Sequence, residues 1–194
     1  MVSKQEQVKK EWRTLEQSVS LVDGVTAELV GKTITVKGPK GEISKLMKFP
    51  NVYVEVEGNQ VKVGTKRFTQ RQKKIIFTYI AHLKNMIAGV TEGFEYELKV
   101  VFSKFPVTVS LKGNVFEVKN LLGEKVPRTV EVPQDVKVDV KGADIKVSGI
   151  DKERVGQVAA NLEQSCRITH LDRRVIQDGI FITKKPHKVY SWKW

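Results

Sequence analysis

A chain that states one thirteen-residue pattern twice is constrained to build one folding unit twice. Here "VTAELVGKTITVK" at 25–37 is echoed eighty-two residues later by "VTVSLKGNVFEVK" at 107–119. Val107, Thr108, Leu111, Gly113, Val118 and Lys119 stand where Val25, Thr26, Leu29, Gly31, Val36 and Lys37 stood. Farther on, "NVYVEVEGNQVKV" and "DVKVDVKGADIKV" align with the register shifted by two. Alternating apolar residues between Gly-rich turns predict short strands in both copies. Each run of strands leads into a helical pattern. Ile76, Ile80, Leu83 and Ile87 recur at helical spacing in the first, with Gly89 as its expected C-terminal stop. Val155, Val158, Ala159, Leu162 and Cys166 share one face of the second. The strands "FEYELKVV" and "IFIT" are then expected to close the two units. The fold class is α+β: two tandem repeats of a small antiparallel or mixed β-sheet packed against one α-helix. The expected units are an N-terminal helical extension over 1–18, a first domain over 19–101, a second over 102–185, and a basic, aromatic tail over 186–194.

This reading makes several conspicuous residues structural. Gly38 and Gly41 in "GPKG" supply turn conformations, and no phosphate-loop motif surrounds them. Cys166 continues an apolar helical stripe, and as the single cysteine it forms neither an internal disulfide nor a metal pair. His82, His170 and His187 lack a partner at metal-binding spacing. There is no nucleophile elbow and no Gly-x-Gly-x-x-Gly loop after a strand. No metal, cofactor, small-molecule substrate or catalytic site is therefore expected. The N-terminal stretch lacks the apolar core of a secretory signal, and the apolar runs are too short to span a bilayer. A reduced, cytoplasmic compartment is the expectation.

Net charge is +12, which favours a polyanionic partner, nucleic acid before membrane. The distribution narrows this. Residues 164–194 hold seven Lys or Arg against two Asp, a net of +5, whereas 91–163 are close to neutral at −1. The passage from helix to strand is short in the first copy and long in the second, where it carries Arg167, Arg173 and Arg174. A second basic cluster, Lys66, Arg67, Arg71, Lys73 and Lys74, opens the first helix, with no acidic residue among its neighbours there. Three functions stay open on these grounds: an RNA-binding structural protein, an enzyme for an acidic substrate, and a free nucleic-acid or membrane adaptor. The enzyme lacks a visible acid/base constellation. The adaptor lacks an RNA-recognition aromatic strand, a KH glycine loop, zinc spacing or a broadly apolar membrane helix.

Four passages go further: "TVKGPKGE", "NMIAGVTEGFEYELKVVFSKFPVTV", "NLLGEKVPRTV", and a C-terminal set of Gln164, Ile168, Arg174, Asp178-Gly179-Ile180 and Lys185. Through them the chain, from about residue 19 to 185, resembles the universal sixth protein family of the large ribosomal subunit, in its archaeal and eukaryotic form (nine in the older eukaryotic naming). The resemblance implies two tandem domains and a non-enzymatic ribonucleoprotein constituent that supports translation, present once per ribosome among neighbouring ribosomal proteins. It implies binding to large-subunit ribosomal RNA near the sarcin–ricin loop and the base of the factor-binding stalk, chiefly through the second domain. On that basis the expected RNA contacts are Arg167, Arg173, Arg174, Lys184 and Lys185. Lys188 and His187 follow, then Lys125 and Arg128, with the first-helix cluster as a secondary RNA or partner face. Three positions depart from the family signature. Leu171 replaces a basic residue, Ile176 an aromatic and Phe181 a tyrosine.

Binding through Arg forks and mobile Lys charges is expected to read RNA backbone rather than bases. Two features stay undecided at this level. Val8, Trp12, Leu15 and Val19 fall on one side of a helical projection, which suits either self-packing or docking onto a neighbour. Tyr190, Trp192 and Trp194 alternate along the tail and suit either base stacking or a protein contact.

Overall fold

The computed structural model describes residues 15–66, 69–169, 171–172 and 174–186. Val8, Trp12, Arg67, Arg173, His187, Lys188 and the tail aromatics lie outside the described residues. The first unit comprises β1 (Leu15–Ser20), β2 (Thr26–Val30), β3 (Thr33–Gly38), β4 (Gly41–Leu46), β5 (Tyr53–Glu57), β6 (Gln60–Thr65) and α1 (Gln70–Thr91). The chain continues through β7 (Phe94–Val101), β8 (Thr108–Lys112), β9 (Val115–Lys119), β10 (Arg128–Glu131), β11 (Val136–Lys141), β12 (Asp144–Gly149), α2 (Lys152–Ser165) and β13 (Gly179–Lys184).

The first unit folds into sheets ordered β1-β6-β5 and β2-β3-β4, and the second into β11-β12-β7-β13 and β10-β9-β8. The described strand pairings are all antiparallel rather than mixed. The repeat is visible as register: Thr26 faces Lys37 across the first hairpin, and Thr108 faces Lys119 across the second. Gly31 and Gly113 hold the matching turns at φ of +64° and +59°, backbone that costs a side chain and suits glycine. Each unit has its own core. Ile34, Val36, Val61, Val63, Ile76 and Leu83 are sealed in the first, and Phe116, Ile145, Val147, Val155, Ala159 and Leu162 in the second.

Three expectations change. The strand β7 does not close the first unit; it lies between β12 and β13, pairing Phe94 with Gly149 and Val101 with Gly179. By hydrogen bonding the second unit therefore begins at Phe94, before the expected residue 102. The helical reading of 1–18 fails at Leu15, where β1 starts and pairs with β6. Leu15 and Val19 are four apart, so they share a face on a strand as well as on a helix. Leu15 is half-buried against the first core rather than offered to a neighbour. Finally, Gly89 does not stop α1, which runs on to Thr91. The amides of Glu92 and Gly93 both cap back onto the Ala88 carbonyl.

Gly89 instead marks where the units meet. A Cβ there would overlap the Ile150 carbonyl, and Ile150 packs on the first core. The "GPKG" tip joins the same junction: the Lys40 amide donates to Val90 O at 3.0 Å and the Lys40 ammonium to Glu92 O. Across the cleft, Glu153 of α2 pairs with Lys45 and stands 3.1 Å from Nδ1 of His82. Lys152 reaches Asn85 at 3.3 Å and lies 5.5 Å from the Phe94 ring. The two units thus abut with two residues between α1 and β7 and no linker.

Candidate nucleic-acid interface

Three loops of the second unit converge beyond the end of β7: residues 102–107, 120–127 and 166–178. Their meeting is enforced by side chains that each bond a distant backbone. The Ser103 amide donates to Asp178 Oδ1 at 2.9 Å, and Asn120 Nδ2 donates to Pro106 O at 3.0 Å. Arg128 ties the rest: Nη1 donates to Ser165 O at 2.8 Å and Arg167 O at 3.1 Å, while Nε and Nη2 grip Glu124 at 2.8 and 2.6 Å. Ser165 O, the last carbonyl of α2, thereby gains a donor that the helix itself does not supply. The same hydrogen bonds hold the Glu124 carboxyl below its usual range and make Arg128 still more basic.

The sequence-expected residues divide on this frame. Arg167 and Lys125 are exposed at the loop end with no ion-pair partner among the described residues. Arg174 is there too, its side chain 90% exposed, in an Asx-type turn in which Asp172 Oδ1 accepts the Arg174 amide at 2.9 Å and Oδ2 its Nη2 at 2.9 Å. That bonding depresses the Asp172 carboxyl. Arg128 is at the loop end, where its guanidinium is occupied within the chain by Glu124 and two backbone carbonyls. Lys184 pairs with Glu97 at 3.1 Å and, with the exposed Lys185, lies at the other end of β13. A six-residue strand puts them about 17 Å from Gly179. The structure does not bring them into the loop cluster.

On the first unit, Arg71 sits 5.3 Å from the Phe49 ring, with Lys73 and Lys74 exposed beside it on the first turns of α1 and Lys66 exposed just before. These cations begin a helix whose other end forms the junction, about 30 Å away at 1.5 Å per residue. They are not part of the loop cluster's frame.

A cleft of about 760 Å³ opens among the loops, walled by Val101, Cys166, Arg167, Ile176, Asp178 and Phe181. Asp178 is only 4% exposed; its Oδ1 serves Ser103, and its Oδ2 is buried with no hydrogen-bond partner. Cys166 is buried, and that burial raises its thiol pKa, which suits packing rather than nucleophilic attack. His82 is held at the junction, its Nδ1 3.0 Å from Lys45 Nζ and 3.1 Å from Glu153 Oε1. Among the described residues no three His, Cys, Asp or Glu converge as metal ligands, and no helix is long and apolar enough to cross a membrane.

The electrostatic outcome is specific. Every acidic side chain on the three loops is engaged or buried: Glu124 by Arg128, Asp172 by Arg174, Asp178 beneath the surface. Lys104, Lys125 and Arg167 remain exposed with no acid to neutralise them among the described residues. Lys104, and the two phenylalanines that flank it, did not stand out in the sequence as site residues. "FSKFP" is a short aromatic–basic–aromatic loop, and that pattern was the available signal.

Comparisons with known proteins agree with the repeat. A family model described as "Ribosomal protein L6" matches twice, over 22–93 and 105–179. The large ribosomal subunit protein uL6 of Methanocella arvoryzae is 42% identical over 170 residues, covering 87% of this chain and 96% of that protein. The protein of the same name from Sulfurisphaera tokodaii is 44% identical over 172 residues, covering 88% and 92%. That of Archaeoglobus fulgidus is 45% identical over 156 residues, covering 80% of each.

Proposed function

The chain belongs to the ribosomal protein L6 family of the large ribosomal subunit, and from that premise we propose that its loop end is the principal ribosomal RNA contact. The family is structural rather than enzymatic. In this reading the loop end of the second unit binds near the sarcin–ricin loop and the base of the factor-binding stalk. The N-terminal segment and the first-helix cations face neighbouring ribosomal proteins or a secondary RNA surface. One copy serves each ribosome.

The observation that carries the proposal is the charge arrangement of the three loops. Their acids are consumed internally, and Lys104, Lys125 and Arg167 are left outward on a frame held by Arg128 and Asp178. Phosphate oxygens are the matching ligand. Arg offers a planar fork and Lys a mobile point charge, and folded ribosomal RNA presents phosphates and 2′-hydroxyls along its grooves. If about six phosphates are neutralised, affinity falls on the order of a thousandfold between 50 and 200 mM salt by counterion release.

The test is sedimentation of the native protein from cell lysate through a sucrose gradient, with and without ribonuclease. Migration with the large subunit that is lost after ribonuclease supports RNA-dependent placement. Footprinting then places the contact, with protection expected around the sarcin–ricin loop. Protection confined to another region of the RNA would overturn the location.

A further inference from the structure

We propose that Phe102 and Phe105 are base-stacking residues, so that the loop end takes unpaired, splayed-out nucleotides as well as phosphate. The inference rests on the RNA reading above and deepens it, because that reading needs only backbone contacts.

Ten large hydrophobic side chains are exposed among the described residues, and six of them, Val101, Phe102, Phe105, Val126, Leu171 and Val175, stand at this one end. Both phenylalanines exposed among the described residues are in the group, at 46% and 45% exposure. Such clustering marks a binding surface rather than scattered surface apolarity. The rings are presented by a loop that is already fixed. Its Ser103 amide is held by Asp178, its Pro106 carbonyl by Asn120, and Val107 is buried beyond it. Phe105 lies against Gly123, where a Cβ would stand 3.8 Å from the ring. A preformed platform loses little conformational entropy on binding.

Charge decides the occupant. Lys104 separates the two rings, Lys125 adjoins Val126, and the three acids of these loops are engaged or buried. An aromatic face flanked by open cations matches a base and its own phosphate, the combination that unpaired nucleotides offer. Regular A-form duplex would not use it, because its bases are stacked inside and unavailable to the rings.

The experiment uses the full chain and a transcript of its own large-subunit ribosomal RNA. Affinity and its salt slope are measured for the wild type, Phe102→Ala, Phe105→Ala, Phe105→Leu and Lys125→Ala, with thermal melts to confirm folding. Each Phe→Ala change should weaken binding about tenfold to a hundredfold with the salt slope unchanged, and Leu should not restore it. Lys125→Ala should lower the slope by about one unit. Wild-type protein should lose a comparable factor on RNA whose protected unpaired nucleotides are replaced by paired ones, which tests stacking without altering the protein.

Phe variants that bind like wild type, beside a Lys125 variant with reduced slope, would remove stacking and leave the ribosomal RNA reading intact. Full recovery by Phe105→Leu would also overturn it, by reducing the contact to apolar bulk. Normal RNA affinity with failed incorporation into large subunits would assign the patch to a protein neighbour. A wild type that binds the RNA at no salt concentration would sink the parent reading.

Discussion

The two copies of the β3–β4 and β9–β10 connection start from the same hairpin and end in opposite uses. In the first unit the tip is "GPKG", turned inward. A Cβ at Gly38 would stand 2.6 Å from Val90 Cγ2, and one at Gly41 2.7 Å from Ile150 Cδ1. In the second unit the connection is longer. Asn120 and Leu122 take left-handed backbone, Leu121 plugs the core, and Lys125 and Val126 are carried outward. Duplication supplied one scaffold. Close packing at one tip and a lengthened, Arg-clamped loop at the other divided it between joining the units and presenting a surface.

The junction side of this contrast breaks most easily. Gly89→Ala should destabilise the chain by about 2–3 kcal/mol through overpacking against the Ile150 backbone, outweighing the roughly 1 kcal/mol that alanine contributes to a helix. Denaturant unfolding measures it, and a stabilised variant would show that the units do not abut at Gly89. On the presenting side, Arg128→Ala should cost about 1–3 kcal/mol, because Glu124 and two carbonyls lose a charged donor. It should also weaken RNA binding while leaving the salt slope unchanged. A slope lower by one unit would put Arg128 on a phosphate instead.

Asp178→Ala should cost about 1–2 kcal/mol, since the Ser103 amide loses its acceptor, although removal of a buried, unsatisfied oxygen offsets part of that loss. Proteolysis should then cut the 102–107 loop faster than in wild type; an unchanged rate would mean that the tether does not order the loop.

The smallest effect is at the junction cleft, where burial lowers the His82 pKa, Lys45 lowers it further, and Glu153 and Asp151 partly oppose. The folded state therefore binds fewer protons at this site than the unfolded chain. This contribution is complete above the unfolded value near 6.5 and is lost as pH falls through the lower folded value. The unfolding midpoint of wild type should decline from pH 7.5 to 5 more than that of His82→Gln. Glu153, whose pKa is lowered chiefly by its hydrogen bond to Lys45, contributes stability that is lost only as pH falls below about 4.3, a separate window. Parallel declines would mean that His82 titrates alike in both states.

Much of this molecule was legible without coordinates. Hydrophobic period located both helices and the strands of both copies apart from β1 and β10, and it named Ile76, Leu83, Val155 and Leu162 as core, because each periodicity has one way to turn apolar residues inward. The excess of cations after residue 164 was a matter of counting. The partner of "FEYELKVV" was not legible, since the same alternation suits a strand that closes one unit or opens the next, and only the ladder with β12 and β13 decides. Gly89 read as a stop because glycine ends helices, whereas its use here is to let a carbonyl from sixty-one residues away come close. Arg128 read as a free cation because composition does not show what a guanidinium already holds. Local pattern determined the elements and their buried faces. Contacts between residues far apart in the chain decided which cations are spent inside, which stay outward, and that Phe102 and Phe105 stand beside them.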